Sequence, residues 1–333
     1  MIKSKIEQAR AYSHGIAVCL VVTIAAKFIA VNYGVPVMLM CLLLGMIFNY
    51  MSREEPTKAG VQFTSKTILR LGVVLIGARI VFSDFMGLGI NGIAIVIFAT
   101  GFVIIGSMFF ARLLGLDKEQ GLLLGGATSI CGASAALAIS SVMPNSKSLE
   151  QNTLIAVLGV TAMGTIAMIT YPVIIGFLGY NDYQAGILIG GAIHDVAQVV
   201  GAGYSVSTEA GDTAILIKLM RVFLLIPVLF VFVYMFKNSK KNDGSPKKFP
   251  FPMFLVGFFI LMVLNSLSLI PHDILKILEY SSKWFLMMSL VAVGMKTSPK
   301  ALVGVGVRPF ILVLLNTALL SALYIFVIYE QII

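Results

Sequence analysis

Gly121–Ser141 reads GLLLGGATSICGASAALAISS, an apolar stretch of membrane-spanning length whose middle is glycine, alanine, serine and threonine. Gly125, Gly126 and Gly132 weaken a helix where it would cross the hydrocarbon, and Thr128, Ser129, Cys131 and Ser134 set short polar groups at the same depth. An interrupted helix at mid-membrane is tolerated only where its freed backbone faces protein or a water-filled cavity. Secondary transporters build substrate sites from such breaks. A second copy of the opening follows 65 residues on: Gly186–Ala192, GILIGGA, repeats Gly121–Ala127, GLLLGGA, with Gly190 and Gly191 in place of Gly125 and Gly126. That copy runs into Ile193-His194-Asp195-Val196-Ala197-Gln198, the most polar short run inside an apolar segment. The two stretches read as facing halves of one transport site.

Composition agrees. Of 333 residues 59% are hydrophobic and 12% charged, with a mean hydropathy of +0.98. Soluble domains are nearer half apolar and a quarter charged. The chain is therefore expected to be an all-α polytopic membrane protein. About eleven segments are predicted, at 14–31, 35–51, 64–82, 88–112, 118–141, 149–178, 184–204, 212–236, 250–269, 276–296 and 304–329. Together they make a single transmembrane domain over 1–333, with repeat-like halves at 36–178 and 184–329. Lys237–Pro250, KNSKKNDGSPKKFP, is the one stretch with linker chemistry. It reads as a solvated cytoplasmic loop, with a regulatory or lipid-binding patch as the alternative.

Arg53, Lys58, Arg112, Lys118, the lysines of 237–250 and Lys300 fall on one side of this arrangement; the other keeps little beyond Lys147 and Lys276. Basic residues collect on the cytoplasmic side, which places the N-terminus there, in the inner membrane. The net charge of +9 is then a topology signal, and nucleic acid is not expected as a partner. The first apolar run continues past Lys27 without a small-x-small cleavage site and reads as a retained span. Cys19, Cys41 and Cys131 show no paired spacing, so neither a disulfide framework nor a metal site is implied. HExxH, GxSxG and P-loop motifs are absent, and no dinucleotide fingerprint stands where it would need to, between a strand and a helix. No catalytic residue and no cofactor is assigned, and transport would be driven by a gradient.

A second repeat joins the ends of the chain. Pro36–Phe110 resembles Pro252–Phe326: Lys66 matches Lys283, Gly77 matches Gly294 and Arg79 matches Lys296 at an offset of 217, and Asn49 matches Asn265 at 216. Segments seven places apart lie in opposite orientation, so this is an inverted repeat, a mark of secondary transporters. The two GGA segments are the fifth and seventh and would share an orientation. Either one is re-entrant or the count around 149–184 is off by one.

The candidate chemistry follows from the breaks. Gly126-Ala127-Thr128-Ser129 could end one half-helix and begin another, with Thr128 or Ser129 capping the new N-terminus. A second such end is read at Ile193–His194. Helix N-termini carry partial positive charge and suit an anion; close helix packing through small residues is the competing reading of the glycines. Asp195 and His194 are intramembrane ionisable groups and hence coupling candidates, with Gln198 one turn on from Asp195. Asp195 could instead pair structurally with Lys218 or Arg221. In-span cations (Lys27, Lys66, Arg70, Arg79, Lys218, Arg221, Lys283) outnumber Asp195, favouring an anionic substrate. Lys218 and Arg221 are the candidate counter-charges, while Lys27 and Lys283 read as snorkelling to an interface. Thr161, Gly164 and Thr165 could line the same cavity, and Trp284 reads as an interface anchor.

GVVLIGARIVFSDF (Gly72–Phe85), LLLGGATSICGASAALA (Leu122–Ala138) and GAIHDVAQVVGAG (Gly191–Gly203) together resemble the YeiH family of bacterial inner-membrane proteins, whose members carry the label sulfate exporter. GGATS before a polar-studded segment is more distantly similar to the crossing helix of the bile-acid:sodium symporter fold. The resemblance implies an elevator-like carrier, its site at Thr128–Ser134 and His194–Gln198 in a core domain that moves against a panel domain. This sequence departs from the symporters in having no carboxylate at the first crossing, which puts sodium coupling in question. The reading is a secondary transporter exporting a small anion, sulfate or a related sulfur oxyanion, with a homodimer as the assembly considered. A cation/proton exchanger, a sodium-coupled organic-anion carrier and a membrane-embedded enzyme or sensor are the alternatives.

Overall fold

The computed structural model describes residues 2–80, 89–144, 148–236, 253–297 and 306–332, with side chains from residue 12 on. Among them every regular element is helical. In chain order these are α1 (Ile2–Tyr33), α2 (Val37–Ile47), a 3-10 turn at Asn49–Ser52, α3 (Glu55–Phe63), a π turn at Thr64–Ile68, α4 (Leu69–Ile76), α5 (Gly89–Leu113), α6 (Lys118–Ser129), α7 (Ala133–Val142) and α8 (Leu149–Leu178). There follow α9 (Asp182–Ala192), α10 (Val196–Val206), α11 (Thr208–Phe223), α12 (Leu225–Met235), α13 (Met253–Ser266), α14 (His272–Lys296) and α15 (Val307–Tyr329). Among the described residues six helical stretches are long and apolar enough to cross a membrane: Tyr12–Tyr33, Glu55–Ile76, Gly89–Leu113, Leu149–Leu178, Thr208–Met235 and Val307–Tyr329. Shorter apolar helices include α7 and α10. The stretch 149–178 is one continuous helix, so no extra turn of the chain hides there. The linker 237–250, Lys147, Lys300 and the end of the Gly72–Phe85 motif lie outside the described residues.

The chain divides into two compact units. Unit 1 is Met1–Gly87, Val200–Asp212 and Met253–Ser298; unit 2 is Leu88–Val199, Thr213–Pro252 and Pro299–Ile333.

Within unit 1 the residues that match across the chain also touch in reciprocal fashion. Asn49 Nδ2 donates to the carbonyls of Met295 (2.6 Å) and Thr297 (3.0 Å), while Asn265 Nδ2 donates to the carbonyl of Ile80 (3.5 Å). Thr297 and Ile80 are themselves a pair at the 217 offset. A Cβ on Gly77 would stand 2.3 Å from the Phe258 carbonyl oxygen, and one on Gly294 would stand 2.3 Å from that of Leu42. Phe258 and Leu42 are again matched, at 216. So α2 lies on α14 and α13 lies on α4, with glycines at the backbone contacts: Gly45 and Gly294 between α2 and α14, Gly77 between α4 and α13.

Unit 2 holds both GGA stretches. α6 starts where Asp117 accepts a hydrogen bond from the Gln120 amide (2.6 Å), and α9 starts with a capping box between Asn181 and Gln184. These helices have 12 and 11 residues. At 1.5 Å per residue they cover only about half of a ~30 Å hydrocarbon core before they stop. Both stop inside protein: from Gly121 to Ser129 and from Ala185 to His194 every residue is buried.

Candidate functional site

The first break falls at Ile130–Gly132, a few residues beyond the Gly126–Ser129 expected from sequence. Gly132 takes φ 63°, ψ −126°, a conformation open in practice only to glycine, and α7 begins after it. Gly125 and Gly126 remain inside α6, because the room they leave is filled by neighbours. A Cβ on Gly125 would stand 2.7 Å from Ser107 Cβ, and one on Gly126 would stand 2.3 Å from Ile139 Cδ1. Gly190 and Gly191 likewise sit within α9, against the Ala214 backbone and the Tyr324 ring. All four are close-packing glycines; of the glycines in these two stretches, Gly132 alone sits at the break.

Thr128 and Ser129 therefore belong to the last turn of α6, and they do not cap a new N-terminus. Thr128 Oγ1 donates to the Leu124 carbonyl at 2.7 Å, and Ser129 Oγ turns back towards Gly126. Their own carbonyls point onward, as C-terminal carbonyls must. α9 ends in the same way at Ala192, and α10 begins at Val196, so Ile193–His194 is likewise a C-terminal stretch.

Both C-terminal ends converge on α11. Arg221 Nε donates to Ser129 O (2.9 Å) and Nη2 to Thr128 O (2.8 Å). Its Nη1 faces the carbonyls of Gly190 (3.0 Å), Gly191 (2.6 Å) and Ile193 (3.0 Å). Lys218 Nζ ties the same two ends together, donating to Ile130 O (2.7 Å) and Ile193 O (3.0 Å). Both side chains are buried, at 0% and 1% exposure. Two cations one helical turn apart thus neutralise the partial negative charge of two half-helices.

The remaining candidates surround this centre. His194 Nδ1 lies 3.1 Å from the Thr128 carbonyl, which can only accept, so Nδ1 carries a proton and donates. His194 Nε2 lies 2.8 Å from Thr317 Oγ1, which also reaches Val313 O at 2.7 Å. Both ring nitrogens are engaged. Asp195 Oδ1 accepts from the Ala197 amide (2.9 Å) and so caps the start of α10. Gln198 Nε2 donates to Thr161 O (3.0 Å) and Thr165 Oγ1 (3.1 Å), joining α10 to α8. Gln198 Oε1 is buried and has no partner among the described residues. It occupies the space beside Gly164, where a Cβ would stand only 2.0 Å away. Cys131 and Gly132 are buried in the break, Ala133 is half-buried and Ser134 is exposed, so the start of α7 is the accessible side of the site.

α15 contributes residues that the sequence reading passed over. Thr317 holds His194, Asn316 Nδ2 donates to Ser107 Oγ (2.9 Å), and Ser321 pairs with Tyr171 at 2.5 Å. The Tyr324 ring fills the space beside Gly191. The available signal was a polar pair, Asn316-Thr317, inside an otherwise apolar span.

The sequence model of a family described as conserved hypothetical protein 698 matches residues 14–313. A UPF0324 membrane protein of Chlorobaculum tepidum is 41% identical, over 94% of this chain and 88% of its own length. The UPF0324 membrane protein TauZ of Paracoccus denitrificans is 41% identical over 92% of each chain. Among solved structures, the sodium proton antiporter MjNhaP1 from Methanocaldococcus jannaschii aligns over 96% of this chain and 99% of its own, at 15% identity and a TM-score of 0.28. At that score the likeness carries no argument.

Proposed function

The chain belongs to the conserved hypothetical protein 698 family, the UPF0324 membrane proteins, and from that premise we propose that it is a gradient-driven transporter of a small anion such as sulfate or a related sulfur oxyanion. One observation carries this reading: two half-helices end on two fully buried cations, Lys218 and Arg221. Their two positive charges meet about one negative charge from the C-termini of α6 and α9, at roughly half a charge each. Asp195 adds one more negative charge, and the N-termini of α7 and α10 return about one positive. The centre is left with a surplus near one positive charge, which an anion at the accessible start of α7 offsets. Buried charge left unbalanced is costly, so a transient anionic guest is the economical partner.

The unit 1 repeat supports the same class, since inverted repeats accompany alternating access. Against the enzyme alternative, both nitrogens of His194 are engaged, by Thr128 O and Thr317, so neither is directed at Ser129 or Cys131. Asp195, at the start of α10 and within electrostatic range of Lys218, is the proton-coupling candidate.

Purified protein in liposomes, preloaded with sulfate, provides the test through counterflow of labelled sulfate. Sulfite, thiosulfate, taurine and a carboxylate serve as competitors, and solid-supported-membrane currents are recorded with sodium and pH steps. Saturable counterflow of one anion, lost on replacing Lys218, supports the reading. Currents driven by sodium or pH without any anion overturn it in favour of a cation exchanger.

A further inference from the structure

Unit 1 contains a cavity of about 290 Å³, and none of its lining belongs to the site in unit 2. Lys27, Arg79, Glu279, Lys283, Tyr280 and Trp284 line it in part. Met38, Leu75 and Met287 supply apolar wall. The volume holds about ten water-sized groups at ~30 Å³ each, enough for a phosphate with its glycerol but not for a whole lipid.

The charges in this lining are unequally committed. Arg79 is held by Asp212 at 2.5 Å, and Asp212 also accepts from the Tyr204 hydroxyl at 2.7 Å. Lys27 Nζ lies over the Trp284 ring, 4.8 Å from its centroid, with Tyr280 beside that ring at 6.2 Å. Neither Lys27 nor Lys283 forms an ion pair among the described residues. With Arg79 offset by Asp212, two lysines face one carboxylate, Glu279, and a surplus of one positive charge remains. A phosphodiester carries one negative charge. The flanking surface is apolar and exposed: Phe28 and Val31 follow Lys27 on α1 at 68% and 70% exposure, and Ile277 on α14 is at 64%. In a membrane protein such a surface faces lipid, and Trp and Tyr beside lysines mark the head-group level. The sequence reading of Lys27 and Lys283 as snorkelling residues leaves open what they reach for.

We propose that this cavity binds the phosphodiester head group of an anionic phospholipid, with Lys27 and Lys283 on the phosphate and the Met38–Leu75–Met287 wall against the glycerol and first methylenes. The shared chemistry is a phosphate ester; the alternative source is a free glycerol phosphate, which lacks the acyl chains that the adjoining apolar surface accommodates. The site does not depend on the transport reading, because every residue it uses lies in unit 1.

Trp284 is the chain's one tryptophan, so tryptophan fluorescence, excited selectively over the tyrosines, reports on this cavity. The full chain is placed in nanodiscs of phosphatidylcholine doped with dibrominated phosphatidylglycerol, and in parallel with dibrominated phosphatidylcholine or phosphatidylethanolamine. Bromine quenching of Trp284 is read against mole fraction. Half-maximal quenching is expected at a clearly lower fraction of phosphatidylglycerol than of either other lipid. Lys283→Gln and Lys27→Gln should each weaken that preference roughly fivefold, the value of one lysine at a charged interface. Lys66→Gln, on an exposed cation elsewhere in unit 1, should leave it unchanged. Equal quenching by all three lipids overturns the proposal, as does a preference that survives both lysine replacements. Relief of phosphatidylglycerol quenching by millimolar glycerol phosphate overturns the lipid in favour of the free ester.

Discussion

Replacing Arg221 with lysine keeps the buried charge and destroys the geometry, which makes it the sharpest probe of the junction. The guanidinium reaches five carbonyls: two on the end of α6 and three around the end of α9. A lysine ammonium has three donors at a single point, and Lys218 already occupies the Ile130 and Ile193 carbonyls. At least two of the five carbonyls then lose their partner in a site closed to water. A buried polar group left unsatisfied costs about 1–3 kcal/mol, so the two half-helix ends should separate more easily by ~3 kcal/mol. That corresponds to roughly a hundredfold larger opening constant.

Cys131 is the natural reporter of that opening. It sits in the break, 4% exposed, next to the Ile130 carbonyl that holds Lys218. With Cys19 and Cys41 replaced by alanine it is the one remaining thiol. Where reclosing outpaces labelling, the maleimide rate follows the opening equilibrium. Arg221→Lys should accelerate Cys131 labelling by about two orders of magnitude while the protein still elutes as a single species. Acceleration of less than about threefold would mean that the carbonyls had found other partners, and the account of Arg221 as the clamp on both half-helices would be wrong.

Three further outcomes follow from local geometry. Gly164→Ala puts a methyl 2.0 Å from Gln198 Oε1 and should lower the melting midpoint by the equivalent of about 1–3 kcal/mol. Adding Gln198→Ala should return part of that loss, and strict additivity in the cycle would refute the clash. Asn49→Ala, which removes bonds at 2.6 and 3.0 Å, should destabilise by about 1–2 kcal/mol. Asn265→Ala removes one at 3.5 Å and should cost less, and thermal melts showing the reverse order would contradict the reciprocal packing. Asp195→Asn keeps an oxygen for the Ala197 amide, so the protein should fold as before while counterflow loses its dependence on pH; an unaltered pH profile removes Asp195 from coupling.

What the sequence revealed and concealed divides along physical lines. Apolar runs of spanning length are set by the thickness of the hydrocarbon, so long helices such as α8 could be read with little else. Of the eleven segments expected, however, six helical stretches among the described residues are long and apolar enough to cross a membrane, and 118–141 and 184–204 are each two shorter helices. The 217 offset was legible because a glycine needed for backbone contact, such as Gly77 or Gly294, tolerates no substitute on either side of the repeat. The exact residue of the break was not legible. Helix-weakening glycines and close-packing glycines look alike in one dimension, and Gly125 and Gly126 differ from Gly132 only in what stands opposite them: Ser107 and Ile139 in one case, a positive φ in the other.

That misplacement of a few residues decides the sign of the field. Had the first half-helix ended at Gly126, Thr128 and Ser129 would cap an N-terminus and present positive ends to an anion. With the end at Ser129, the same residues present carbonyls, and Lys218 and Arg221 answer the protein's own backbone before any ligand arrives. The positive potential available to a guest is then what survives after that neutralisation, concentrated at the start of α7 where Ala133 and Ser134 are accessible. A small surplus is better suited to a transporter than a large one, because a site that neutralised its anion with two uncommitted cations would bind it too tightly to release. Under the proposed function, Arg221 and Lys218 hold the two half-helix ends together beside a break whose weak residual charge an anion would enter and leave.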